Sequence, residues 1–297
     1  MSTLSEMGKS QKASAVLPAP VLTPLPREVL IQPPKGFARL DFADLVRHRG
    51  ILWRRSSHRV RVQYDDMFLG LFWAVARPLI MLAVLWGFRG LAASSLGVSI
   101  PYPLYVYSGL VVWFYFTEST QAIAKSLQKD AGLIQKIYFP RLISPLSSLL
   151  AETYNLGLAF VPLSILMLIF GVPPCWYVLL LPLLLLQIMV FSLGLGLLFS
   201  SLILWGKDWE RILKFLLYVG FWLSPVFYSP TMIPSKLAIL YFSNPMGGSL
   251  LAMRAVLFSG FEFPWWSWLY SSVLSIVLLF AGLMLFQRTE ASIADRL

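Results

Sequence analysis

The sequence predicts an all-α integral membrane protein: six transmembrane helices, an N-terminal amphipathic interface helix, and a re-entrant extracytoplasmic helical hairpin before the last span. Three observations predict this fold. Of the 297 residues, 58% are hydrophobic and 13% are charged, whereas about 25% are charged in soluble domains. Six apolar runs are each long enough to cross ~30 Å of hydrocarbon. Basic residues collect on one side of these runs. The composition excludes a soluble globular domain.

The apolar runs divide residues 67–297, the predicted transmembrane domain. They lie at residues 68–91, 102–120, 142–170, 176–204, 211–229 and 265–286. The stretch 231–263 is also apolar, but Pro234, Asn244-Pro245 and Gly247-Gly248 interrupt it. Broken backbone at membrane depth survives only where protein or a cavity satisfies it. We therefore expect a re-entrant or surface hairpin at 231–263 and not a seventh span.

Two segments precede the first span. Residues 1–40 are rich in proline and small polar residues, a composition that cannot bury enough apolar surface to fold, so we expect a flexible cytoplasmic tail. Residues 41–66 interleave apolar residues with arginine at helical spacing, which is typical of a helix in the lipid headgroup layer. The arginines expected to face lipid phosphate are Arg47, Arg49, Arg54, Arg55, Arg59 and Arg61. A nucleic-acid arm is the weaker alternative, and no nucleic acid is expected as a partner.

The distribution of basic residues predicts the orientation. Twenty of the 24 Lys and Arg lie before the first span, between the second and third spans, near the start of the fifth, or at the C-terminus. All these segments share one side of a six-span topology. Because cytoplasmic segments carry the excess of Lys and Arg, both termini are expected in the cytoplasm.

Two charged residues lie within the predicted spans. Arg77 falls about nine residues into the first span, roughly 13 Å from its cytoplasmic end, and Glu152 lies at a similar depth in the third. Since an unpaired charge in hydrocarbon is costly, Arg77 either pairs with Glu152 or faces a watered cavity, where it could meet an anionic substrate group. Glu118, near the cytoplasmic end of the second span, is interpreted as a residue that reaches to the interface.

Aromatic side chains form a run inside the second span, at Trp113, Phe114, Tyr115 and Phe116. Aromatic belts at the interfaces do not explain this position. Rings that face a passage can offer flat apolar faces to sugar C–H groups, so the run is a candidate translocation path together with Arg77 and Glu152. Packing against other helices or lipid is the alternative. In the fourth span Ser192, Gly196 and Ser200 recur every four residues, which favours close helix approach.

The sequence carries no set of residues for catalysis or metal binding. It contains no nucleotide-binding loop and one cysteine, Cys175, and its histidines, His48 and His58, lie outside the spans. We therefore expect no catalytic centre, no metal and no cofactor on this chain. Energy for any transport has to come from elsewhere.

Several short motifs, in order along residues 41–297, resemble those of the transmembrane subunit of type-2 ABC exporters. The closest resemblance is to the branch that exports polysaccharides such as O-antigen, capsule or teichoic acid. The motifs are Leu69-Gly70-Leu71-Phe72-Trp73 with Pro78, Gly109-Leu110 with Trp113 and Phe116, Lys136-Ile137-Tyr138-Phe139-Pro140-Arg141, Ser224-Pro225-Val226-Phe227-Tyr228, Asn244-Pro245-Met246, and Glu290 with Ala294-Asp295.

The resemblance implies a homodimer in the bacterial inner membrane, with two copies of a separate ATP-binding subunit that carries ATP and magnesium. It implies that Gln121 to Arg141 form the region that couples to the ATPase, and that the hairpin with Asn244 and Pro245 lies near the exit. The substrate implied is a lipid-linked glycan, moved from the cytoplasm by an ATP-driven permease that is not itself an enzyme. The coupling residues are then Lys125, Lys129, Ile134, Lys136, Tyr138, Phe139, Pro140 and Arg141.

Three alternatives stay open at this point. A type-2 exporter of a drug or lipid shares the helix count. A membrane-embedded transferase would need an acid/base or metal cluster, for which only scattered acids are present. An ion-coupled transporter would be expected to show internal repeats, and the sequence has none.

Overall fold

The computed structural model describes residues 46–65, 72–87, 100–136, 139–230 and 244–296, with side chains as far as Thr289. All of these residues belong to one unit, Lys35–Leu297. The predicted tail, residues 1–40, lies outside the described residues. So do Tyr138 and residues 231–243 of the predicted hairpin.

The described residues form ten α-helices. They are α1 (Arg49–Asp65), α2 (Phe72–Gly87), α3 (Tyr102–Ala124), α4 (Ser126–Lys129), α5 (Ala131–Ile134), α6 (Ile143–Ile169), α7 (Leu181–Ile203), α8 (Asp208–Leu223), α9 (Pro245–Leu257) and α10 (Trp265–Arg296), with a 3-10 turn at Trp176–Leu180. Within these ranges there is no β-strand, only an isolated bridge between Pro174 and Phe258. The predicted all-α class is confirmed.

The long helices run between two ends of this unit. The first, called here the basic end, holds α1, α4 and α5, and there Lys125 after α3 meets Glu210 at the start of α8. The second, the opposite end, holds α9, whose last residue Leu257 accepts a hydrogen bond from the amide of Cys175 before α7. With only 13 residues, α9 packs on α10 and the 3-10 turn and does not reach the basic end.

The central helix is α3, which packs against α2, α6 and α7. Almost all of its side chains are buried. Some of its hydroxyl groups bond to the helix's own backbone: Thr117 Oγ1 donates to the Trp113 carbonyl oxygen at 3.0 Å, and Ser119 Oγ to that of Tyr115 at 2.6 Å. This local pairing allows hydroxyls to be buried without partners on other helices.

Small residues bring α7 and α10 into backbone contact. A Cβ atom added to Gly282 would lie 2.3 Å from the carbonyl oxygen of Gly194, and one added to Gly194 would lie 2.5 Å from the amide nitrogen of Leu279. On another face of α7, a Cβ at Gly196 would lie 2.6 Å from the side chain of Ile123 in α3. The predicted close approach at Gly196 is confirmed, and the Gly194–Gly282 crossing extends it to α10.

Three helical segments are long and apolar enough to cross a membrane: Ile143–Ile169, Trp176–Ile203 and Trp265–Thr289. They correspond to the third, fourth and sixth predicted spans. Among the remaining described helices, α2 is a shorter apolar helix of 16 residues. The first, second and fifth predicted spans correspond in position to α2, α3 and α8.

Local capping sets where several helices begin and end. Gly171, at a φ of 65°, follows α6, and the amide of Val172 donates to the Met167 carbonyl oxygen, a turn that favours glycine. α8 ends at Leu223 and not at the predicted residue 229, because Ser224 is extended before Pro225. α3 continues to Ala124 and α10 to Arg296, both beyond the predicted ends at 120 and 286.

The α7–α10 crossing gives a stability prediction. Gly282→Ala places a methyl group against the backbone of α7, which cannot move aside as a side chain can, so we expect a loss of about 1–3 kcal/mol from overpacking. Thermal unfolding in mild detergent measures it. The matched control is Gly157→Ala in α6, where nothing lies within 4 Å of the added Cβ and alanine favours the helix. Equal unfolding temperatures for the two variants would contradict the close backbone contact between α7 and α10 at Gly282.

Candidate functional site

A polar cavity of about 400 Å³ opens at the basic end between α1, α2, α3 and α6. It combines two carboxylates, three cations, two amides, a hydroxyl and one aromatic ring. Its lining residues are Gln63, Arg77, Phe114, Thr117, Glu118, Gln121, Ala122, Lys125, Lys129 and Glu152. Such a surface offers many donors and acceptors to a hydroxylated ligand.

Arg77 meets Glu118 in this cavity, with 2.5 Å between Nη1 and Oε1. The predicted pair with Glu152 is therefore corrected, although Glu152 lines the same cavity. Glu118, interpreted from the sequence as a residue that reaches to the interface, has Arg77 as its partner. Both partners stay partly exposed, at 57% and 33%, so the pair itself adds little stability. The alternative prediction, that Arg77 faces a cavity, agrees with its position.

Glu152 is held by its neighbours on α6 and α1. Asn155 Nδ2 donates to Glu152 Oε2 at 2.8 Å, and the Tyr64 hydroxyl donates to the side-chain oxygen Oδ1 of Asn155. Burial raises the pKa of Tyr64 to about 12, so its hydroxyl remains protonated and can donate. This chain of hydrogen bonds fixes the carboxylate toward the cavity.

Only one member of the aromatic run lines the cavity. Phe114 does so, whereas Trp113, Tyr115 and Phe116 are buried in the protein. Trp113 packs edge-on against Phe221, and Phe116 stacks on Phe191 with 4.9 Å between ring centroids. These three rings lie away from this cavity, because consecutive helical positions point about 100° apart and cannot all face one space. Their predicted role in the translocation path stays a prediction.

Two of the predicted lipid-facing arginines turn toward the protein instead. Arg55 and Arg59, one turn apart on α1, both pair with the carboxylate of Asp130, Arg59 at 2.6 Å. The remaining four, Arg47, Arg49, Arg54 and Arg61, are exposed. The prediction for Arg55 and Arg59 is corrected because the buried Asp130 carboxylate requires cationic partners.

The segment around α4 and α5 holds most of the predicted coupling residues. Lys129 and Lys136 are exposed, and Ile134 is half-buried. Phe139 is buried with the Arg55 guanidinium 5.9 Å from its ring centre, while Pro140 and Arg141 are half-buried. Lys125 pairs with Glu210 at 2.7 Å. The hydrogen bonds from Lys125 and Lys214 hold the pKa of the Glu210 carboxyl at about 2.

A second polar centre lies at the opposite end around Arg254 of α9, which is 1% exposed. Its guanidinium donates to the Tyr105 hydroxyl at 2.8 Å and to the Val226 carbonyl oxygen at 2.7 Å. Asn244 caps α9 through the amide of Met246 and donates to Ser224 Oγ at 2.7 Å. α3, the loop after α8, and α9 are thus joined by buried hydrogen bonds.

Comparison with known proteins identifies relatives along most of the chain, although no family model matches. The O-antigen export system permease protein RfbA of Klebsiella pneumoniae is 27% identical over 246 residues, 81% of this chain and 92% of that protein. RfbA of Myxococcus xanthus is 24% identical over 85% of this chain and 97% of its own length. The polysialic acid transport protein KpsM of Escherichia coli is 23% identical over 78% of this chain and 90% of its own.

The chain is thus similar over about four-fifths of its length to proteins named as O-antigen export permeases and as a polysialic acid transport protein. The resemblance drawn from short motifs is thereby confirmed. Two of those motifs, around Gly109 and Val226, meet at Arg254. A Cβ at Gly109 would lie 2.7 Å from the Val226 carbonyl oxygen and 2.8 Å from Arg254 itself. Glycine at this position lets α3 approach the Ser224-Pro225-Val226 loop.

Sequence reasoning missed several residues of the permease. Asp130 was not singled out, although an acid among Lys125, Lys129 and Lys136 is a signal for an internal ion pair. Arg254 was not singled out either, yet a lone cation in an apolar stretch predicts a buried hydrogen-bond centre. The partnership of Tyr64 with Asn155 had no local signal, since the two lie 91 residues apart.

The cavity predicts a pattern of thiol accessibility. In a Cys175→Ser background, which removes the native thiol, Gln121→Cys should react readily with a small charged thiol reagent because Gln121 lines the cavity. Thr120→Cys, one residue away, should react far more slowly because Thr120 is fully buried on another face of α3. Labelling rates in purified protein give the comparison. Similar rates at both positions would argue against the cavity.

Proposed function

We propose that this permease is the transmembrane, channel-forming subunit of an ATP-driven exporter that moves a lipid-linked polysaccharide from the cytoplasm across the inner membrane. The observation that carries this proposal is the similarity, over about four-fifths of the chain, to RfbA proteins that are O-antigen export permeases. KpsM, a polysialic acid transport protein, points to the same substrate class.

The proposed topology has six spans, with α2, α3, α6, α7, α8 and α10 crossing the membrane in turn. Both termini and the basic end face the cytoplasm, and α1 lies at the membrane surface. The long helices run in alternating directions between the basic end and the opposite end, which supports this topology. The short α9 lies only at the opposite end, which supports it as well. The Asn244-Pro245 turn would then start the part of the hairpin that lies near the exit.

The proposed assembly is a homodimer with two copies of a separate ATP-binding subunit, which carry ATP and magnesium. The segment from Gln121 to Arg141 is the proposed contact with that subunit. Support comes from its exposed Lys129 and Lys136 and from its position at the basic end. ATP binding would move this segment, and the movement would open the passage.

The proposed passage includes Arg77, Phe114 and Glu152, which line one cavity. Carboxylates and amides bind sugar hydroxyls, and the Phe114 ring can pack against sugar C–H groups. The exposed arginines in and just before α1, Arg47, Arg49, Arg54 and Arg61, are proposed to hold the lipid phosphate. The polar lining of the cavity favours a glycan over the alternative drug or lipid substrates.

Affinity purification from the native cell in mild detergent tests the assembly. We expect a roughly equimolar ATP-binding subunit by densitometry, and a retained glycolipid by mass spectrometry. If the chain purifies alone in detergents that preserve known complexes, that result contradicts the exporter assignment. The alternatives of a membrane-embedded transferase and an ion-coupled transporter would then have to be considered again.

Substitutions in the aromatic run separate the passage from the core. Phe114→Ala should reduce the export of glycan while the amount of assembled complex stays near wild type, because Phe114 lines the cavity. Trp113→Ala should instead destabilise the protein by about 3–5 kcal/mol, since it removes a buried ring. Export and protein abundance in cells provide both measurements. Normal export by Phe114→Ala would rule this ring out of the passage.

A further inference from the structure

Asp130 occupies the junction between the two short helices α4 and α5. It follows the last residue of α4 and precedes the first residue of α5. Aspartate at this position commonly caps the next helix with its side chain, but here the side chain makes no cap hydrogen bond. The carboxylate is 6% exposed and points away from its own segment.

The carboxylate of Asp130 is bound from two other helices. Arg55 of α1 pairs with Oδ1 and Arg59 with Oδ2, and the hydroxyl of Ser144, in the first turn of α6, also meets Oδ2. Arg59 further donates through Nε to Ser147 Oγ at 3.0 Å. Burial lowers the pKa of Arg59, opposed chiefly by Asp130, and arginine stays charged in proteins. One carboxylate thus joins α1, α6 and the α4–α5 segment.

The other charged attachment of this segment is much more exposed. Lys125 pairs with Glu210 of α8, but the two side chains are 31% and 27% exposed and Glu210 also binds Lys214. Exposed pairs of this kind contribute little and yield easily. A buried pair that loses one partner leaves an uncompensated charge, so it resists separation. The Asp130 attachment is therefore the stiffer of the two.

The helices that hold Asp130 lead directly to the polar cavity. On α1, Gln63 lies one turn beyond Arg59, and on α6, Glu152 lies two turns beyond Ser144; both line the cavity. Gln63 and Glu152 also line a second cavity of about 500 Å³, together with Arg55, Arg59 and Asp130. The Asp130 attachment and the cavity thus share the same two helices.

We propose that Asp130 is a positioning residue that transmits motion between the α4–α5 segment and the cavity through Arg55, Arg59 and Ser144. This inference rests on the proposed function, in which the segment contacts the ATP-binding subunit. Without the carboxylate, the ATP-binding subunit still binds and hydrolyses ATP, but α1 and α6 no longer follow the segment. The expected defect is a loss of coupling between ATP hydrolysis and export.

The test compares Asp130→Asn with wild type in the complete complex with its ATP-binding subunit. Three quantities are measured: complex assembled, ATP hydrolysed and glycan exported. We expect Asp130→Asn to lower the glycan exported per ATP by roughly two- to thirtyfold, the range typical of coupling residues remote from ligands. Asp208→Asn, which makes the same chemical change in a pair whose side chains are each 85% exposed, should leave the ratio unchanged.

Further variants separate transmission from folding. Asp130→Glu, which keeps the charge, should restore part of the ratio. Arg59→Gln should lower it, and combining Arg59→Gln with Asp130→Asn should be no worse than Asp130→Asn alone, because both break one interaction. If Asp130→Asn does not assemble, the ratio of glycan exported per ATP is measured instead in Arg55→Gln and Arg59→Gln. Each of these variants leaves one arginine paired with the Asp130 carboxylate.

An assembled Asp130→Asn complex with the wild-type ratio overturns the inference. So do assembled Arg55→Gln and Arg59→Gln complexes that both keep that ratio. These results differ from a failure of the proposed function, in which the wild-type chain itself brings no ATP-binding subunit and supports no export.

Discussion

Every polar group that this chain places among its apolar helices has to find its partner inside the protein, because lipid offers none. Several serine and threonine hydroxyls of α3 meet this constraint locally, on their own backbone, and the hydroxyls of Tyr107 and Tyr115 meet it on α6. Charged groups cannot do so, since one helix turn does not supply enough partners. The guanidinium of Arg254, on α9, therefore binds both α3 and the loop after α8. The carboxylate of Asp130, in the α4–α5 segment, binds both α1 and α6.

The two centres differ in what surrounds them. At the opposite end, Arg254 is enclosed by α3 and α9, and glycine at 109 brings the backbone within reach of the guanidinium. At the basic end, Asp130 lines the cavity of about 500 Å³ and follows the exposed Lys129. The buried hydrogen bonds around Arg254 favour a rigid arrangement of its helices. The Asp130 ion pairs lie beside a cavity, so the bonded groups can move together without the bonds breaking. The basic end is therefore better suited to a conformational change than the opposite end.

The sequence was sufficient for the helical class and for the positions of the long apolar helices, because these depend on composition and length alone. It was also sufficient to place Arg77 and Glu152 at similar depth, and both line one cavity. The partners of charged residues were harder to predict. Depth along a helix does not show which side of the helix a residue occupies, so the sequence did not predict that Arg77 pairs with Glu118 and not with Glu152. Arg55 and Arg59 were assigned to lipid because their partner, Asp130, lies 71 or more residues away in sequence.

The central helix α3 runs from Arg254 to the polar cavity at the basic end. Its first turn carries Tyr105, whose hydroxyl binds Arg254, and its last turns carry Glu118 and Gln121 of the cavity. Buried on almost every side, α3 cannot bend away from α6 and α7 without opening the core. A displacement of the segment that follows it would therefore either move α3 as a rigid body or be taken up by α1 and α6 at the surface. The salt bridges of Asp130 favour the second route, because they attach the segment to the two helices that have room to move beside a cavity.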